Sequence, residues 1–152
     1  MELKGYKYLQ DIENANGSID QVYTGDLLNY KVEVINLFNK KDQLVRTMVI
    51  FTKSSDLYKL YMDFKNDLDK KYEEGIYINK TNESYRMYDS LFQSELKSGK
   101  EIFSLWVFDD GYEISEEFRK AYTDKSDLQL TINYLSPDWE SESKDRNDQN
   151  DL

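Results

Sequence analysis

YKVEVINLFNKKDQLVRTMVIFT, residues 30–52, is the stretch whose patterning decides the fold class. Tyr30, Val32, Val34 and Phe38 fall on one side and Lys31, Glu33, Ile35 and Leu37 on the other, the two-residue period of a β-strand. Asn39-Lys40-Lys41-Asp42 supplies a polar turn. Leu44 to Thr52 then forms an almost continuous apolar, β-branched run, which predicts the second strand of a hairpin set centrally in a sheet.

Downstream the period changes. Ser54 or Ser55 is a suitable helix cap, and Leu57, Leu60, Tyr61, Phe64, Leu68 and Tyr72 recur at helical spacing as far as about Glu73, with Gly75 as the stop. Ile76 to Ile78 is long enough for a brief strand. Residues 82–97 repeat the helical pattern through Tyr85, Tyr88, Leu91, Phe92 and Leu96, with Glu95 inside the stripe and Ser98-Gly99 closing it. Ile102 to Phe108 is apolar and too short for a typical helix, so it reads as a strand buried on both faces at the centre of the sheet. Asp109-Asp110-Gly111 makes a turn, and Ser115 with Glu116 and Glu117 reads as the start of a short helix ending near Tyr122. Leu128, Leu130, Ile132 and Tyr134 alternate with Gln129, Thr131 and Asn133, which predicts a strand with one wet face.

Upstream, Leu9, Ile12 and Ala15 have the spacing of a short helix closed by Asn16-Gly17-Ser18, with a strand through Tyr6 to Leu9 as the alternative. Gln21 to Thr24 reads as an edge strand. Beyond Pro137 the only apolar residues are Trp139 and Leu152, too few to offset the entropy of ordering the chain, so residues 137–152 read as a disordered acidic tail. The expected fold class is α+β: one domain over residues 1–136, with a mostly antiparallel sheet of about four or five strands and two amphipathic helices on one face.

The chain has neither cysteine nor histidine. That excludes disulfides, thiolate metal sites and cysteine nucleophiles, and removes the commonest acid–base catalyst and metal ligand. Met1 to Tyr8 has neither the basic start nor the apolar run of a leader, and no apolar stretch is long enough to span a bilayer, so a cytoplasmic protein is expected. Formal net charge is −10; Asp138, Glu140, Glu142, Asp145, Asp148 and Asp151 against Lys144 and Arg146 put −4 of it in residues 137–152 and leave −6 to residues 1–136. Such a balance disfavours direct contact with nucleic-acid phosphates. Abundant Lys, Asn and Tyr with a single proline suggest AT-rich coding, as in a low-GC bacterium, its phage or a mobile element.

Three functional readings follow. The leading one is a small acidic protein, of phage or mobile-element type, that binds and inhibits a host nucleic-acid-handling protein by placing carboxylates in its basic groove. The partner is then another protein, with no nucleic acid, membrane or cofactor involved. Its candidate contacts are Trp139, an isolated aromatic among acids, with Glu140 and Glu142 beside it. The second reading is a structural or regulatory adaptor binding through Tyr58 and Met62, four residues apart beside the first helix's stripe; a wide core-facing stripe would also cover both. The third is a metal-dependent enzyme using Asp109, Asp110 and Glu113, set against their plainer role in an Asp-Gly turn.

Overall fold

The computed structural model describes residues 5–27, 30–52, 57–71, 102–120 and 128–150. In chain order these form β1 (Lys7–Glu13), β2 (Ile19–Leu27), β3 (Tyr30–Phe38), β4 (Leu44–Thr52), α1 (Leu57–Lys71), β5 (Ile102–Val107), β6 (Glu113–Lys120), β7 (Leu128–Leu135) and α2 (Trp139–Asn150). The strands make one sheet in the order β1-β2-β3-β4-β7-β6-β5, with every neighbouring pair antiparallel. The β3–β4 hairpin and α1 lie where residues 30–72 place them, and β4 is the fourth strand of seven. Among the described residues no helix is long and apolar enough to cross a membrane.

Residues opposite one another in antiparallel strands point to the same face. Tyr23, Val34, Val49, Ile132, Glu116 and Ser104 form one such row, and Val32, Phe51 and Leu130 lie in the next. On this face α1 packs Leu60, Tyr61 and Leu68 against the cluster that includes Phe51, Trp106, Leu130 and Ile132. Phe64 of α1 lies 5.5 Å from the ring of Phe51, and Tyr61 Oη is 2.6 Å from Ser104 Oγ. The opposite face carries the row Asp20, Leu37, Arg46, Leu135 and Glu113. α2 lies there.

The architecture corrects the expected fold class: among the described residues the sheet has seven strands rather than four or five, and the two described helices lie on opposite faces. Residues 115–120 belong to strand β6. Their acids resemble a helix start, but Ile114, Glu116 and Phe118 also alternate with Ser115, Glu117 and Arg119, and β5 and β7 on either side complete the ladder. Local propensity yields to the sheet. β5 ends the strand order instead of occupying its centre; a continuous apolar run reports burial, as with Trp106 and Ser104, and not position among strands.

Residues 7–13 form β1, not a helix. Leu9 and Ile12 remain exposed, so their spacing marks no buried stripe, and β2 has β1 outside it rather than forming an edge. β1 carries a register break at Leu9 as well as Asp11 and Glu13, features that discourage a further strand from pairing there. The side of β7 expected to be wet is buried at Thr131 and Asn133, while Tyr134 on the other side is 45% exposed. Residues 139–150, expected to be disordered, are helical. The Gly75 stop, the Ile76–Ile78 segment, the 82–97 helix with Glu95 and the region of Tyr122 lie outside the described residues.

Candidate binding face

Three hairpin turns and the start of α2 meet at one end of the sheet. They are residues 14–18 between β1 and β2, 39–43 between β3 and β4, and 108–112 between β5 and β6. Each turn is closed by its own polar groups. The Asn39 carboxamide oxygen accepts from the amides of Lys41 and Gln43, and Asp110 Oδ1 accepts from Tyr112 N at 3.1 Å. Gly111 has φ +87°, in the left-handed region, and a Cβ there would stand 3.1 Å from Pro137 Cγ. The β5–β6 turn therefore abuts the segment leading into α2.

α2 begins where β7 ends. Ser136 N donates to Val45 O, Asp138 N donates to Ser136 Oγ, and Glu140 and Glu142 place negative charge at the positive end of the helix. Its attachment to the sheet is polar. Arg146 donates to both carboxylate oxygens of Asp20 at 2.9 and 3.1 Å, to Glu142 Oε2 at 3.0 Å and to Phe38 O at 3.0 Å. Asn16 Nδ2 donates to both oxygens of Glu142 and to Asp145 Oδ2, which also meets Lys40 Nζ at 3.1 Å. The Trp139 ring has the Arg46 guanidinium 4.8 Å and the Arg146 guanidinium 5.6 Å from its centre. Arg46 is in turn held by Asn133 Oδ1 at 2.6 and 3.0 Å, and Asn133 donates to Ser115 Oγ.

These contacts move two titrations. Burial opposes the charge on Arg146, but the bonds to Asp20 and Glu142 outweigh it and hold the guanidinium above its ordinary pKa. The bond from Asn16, followed by that from Lys40, holds the Asp145 carboxyl below the ordinary aspartate value.

Beside α2 lies an open groove of about 630 Å³ whose walls include Gly111, Glu113, Trp139, Glu140, Lys144 and Asp148. Two acidic stretches distant in sequence thus share one groove, with exposed Asp109 and Asp110 at the adjoining turn. Of the expected contacts, Glu140 is exposed, Trp139 is partly buried, and Glu142 is buried at 5% exposure in the attachment of α2. Met62 is partly buried and packs on the core; Tyr58 lies in α1, with its side chain outside the described residues. Among the described residues no group of carboxylates is placed to hold a metal ion.

The sequence suggested no binding role for Asn16, expected only as a turn residue, nor for Asp20, Arg46 or Arg146. A signal existed for Arg146: Trp139, Glu142 and Arg146 stand at i, i+3 and i+7 and share a helical face, but that stripe is mostly charged. Comparison with protein-family models, curated proteins and solved structures finds no match to this chain.

Proposed function

We propose that this is a cytoplasmic binding protein, rather than an enzyme, that presents the acidic groove beside α2 to a basic surface of another protein. The partner class is a protein whose basic groove handles nucleic acid, with the carboxylates occupying positions otherwise taken by phosphates; inhibition of a host defence protein by a phage or mobile element is one setting for it. The observation behind this reading is the convergence of Glu113 from β6 with Glu140 and Asp148 from α2 around one groove, with Asp109 and Asp110 alongside. The attachment of α2 holds Glu140 and Asp148 beside Glu113 before any partner arrives, which reduces the entropy lost on binding. A like-charged surface is repelled by free nucleic acid, so the partner is protein.

The test is affinity capture from a low-GC bacterial lysate, comparing the native chain with a Glu113→Lys, Glu140→Lys, Asp148→Lys variant and with Glu33→Lys as a control. The native chain and the control should retain a nucleic-acid-handling protein in a salt-sensitive manner, and the triple variant should release it. Retention by the triple variant, or recovery only of partners without nucleic-acid function, would count against the reading.

A further inference from the structure

Asn16 combines two properties: it is followed by glycine, and its side-chain amide donates to the carboxylates that hold α2. An Asn-Gly step is the least hindered sequence for intramolecular deamidation, because no side chain shields the glycine nitrogen. We propose that Asn16 is a latent deamidation site guarded by α2, and that its conversion makes release of the helix irreversible.

The reaction needs no partner beyond water. Gly17 N gives its proton to solvent base and bonds to Asn16 Cγ; the Cγ–Nδ2 bond breaks and nitrogen leaves as ammonia. Water then adds to either carbonyl of the resulting cyclic imide and opens it to aspartate or isoaspartate. In the docked state both reacting groups are restrained. Asn16 is 7% exposed, its Nδ2 is bonded to Glu142 and Asp145, and its Oδ1 accepts from Ser18 N at 3.1 Å and Ser18 Oγ at 2.6 Å. The Gly17 N–H is itself committed to Asn14 O at 2.9 Å. Lifting α2 removes the acceptors from Nδ2 and opens the amide to water, leaving only the bonds within the turn, to Ser18 and Asn14, as restraints on the reacting groups.

The product differs from the reactant at the atom that matters. An aspartate at position 16 can still accept from Ser18, so the turn has its cap, but the donor between Glu142 and Asp145 is replaced by a third carboxylate. Among the described residues Arg146 and Lys40 are the cations bonded to those two acids, and both are already engaged with carboxylates. Redocking would crowd like charges where a neutral donor stood.

Two measurements on the full chain test this. Peptide mapping by mass spectrometry after warm, mildly alkaline incubation should find Asn16 converting about five- to thirty-fold faster in Arg146→Met than in the native chain, because reaction follows the opened population. Independently, Asn16→Asp should lose amide-exchange protection across residues 139–150 while β3 and β4 keep theirs, and adding Glu142→Gln should restore it. Equal conversion in native and Arg146→Met chains, or undiminished α2 protection in Asn16→Asp, would overturn the proposal.

Discussion

α1 and α2 cover opposite faces of one sheet and are held by different physics. α1 is attached by area: Leu60, Tyr61 and Leu68 are buried against aromatic and aliphatic side chains, with the Tyr61–Ser104 contact as a polar addition. α2 is attached by donors and acceptors, with Trp139 as its one aromatic residue and Arg146, Glu142 and Asp145 making named bonds. Apolar burial is non-directional and grows with the surface removed from water. A charged attachment depends on each member, because removing one leaves its partners poorly compensated. The first arrangement builds a core, and the second builds an attachment expected to open at lower cost than the core.

The largest effect should come from the α1 side. Phe51 is fully buried and meets both Tyr30, at 6.1 Å, and Phe64. Phe51→Ala should lower global stability by ~3–5 kcal/mol, combining lost transfer energy with the cavity left behind. Urea denaturation followed by circular dichroism would show this as a lower midpoint for the whole sheet. A loss confined to α1 would break the distinction between the helices.

Next in size is Arg146→Met. The substitution keeps much of the side-chain length and removes every bond to Asp20, Glu142 and Phe38. Breaking a buried ion pair can be severe, but here the penalty is limited by the free energy of docking α2, because the helix can lift and return Asp20 and Glu142 to water. The expected loss is ~1–2 kcal/mol, local to α2. Hydrogen exchange should show residues 139–150 losing protection with the core strands unchanged; if the sheet loses protection equally, α2 belongs to the core.

The same contrast explains what was legible in the sequence. Hydrophobic period marks surfaces that need covering, so β3, β4, β7 and α1 could be read from Tyr30–Phe38, Leu44–Thr52, Leu128–Tyr134 and Leu57–Leu68. Period does not say which strands are neighbours, which is why the apolar run at 102–108 suggested the centre and β5 lies at the end of the order. Nor does it register a helix held by charge. Residues 137–152 have too little apolar surface to fold alone, and the groups that order α2 sit 126 residues away at Asn16 and Asp20. The acidic groove was legible as two separate carboxylate stretches, but not as one place.

The smallest effect concerns Asp145, and its sign is fixed by its environment. Its carboxyl is held below the ordinary aspartate value first by Asn16 and then by Lys40, with burial opposing both. A group whose folded pKa is depressed stabilises the fold fully above its unfolded pKa, about 3.9, and loses that contribution as pH falls through the lower folded value. Through this group, docking of α2 should therefore not vary with pH near neutrality and should weaken only in acid. The raised Arg146 value has the opposite sign, with a contribution present below its unfolded pKa and lost only in strong alkali. Carbon-detected NMR titration of the Asp145 carboxyl reads the causes separately. Asn16→Ala should raise the midpoint more than Lys40→Ala, since the latter removes an exposed amine that water partly replaces. The reverse order would make Lys40, and hence a screened surface charge, the main support of Asp145; the attachment of α2 would then depend on ionic strength rather than on the buried Asn16 amide.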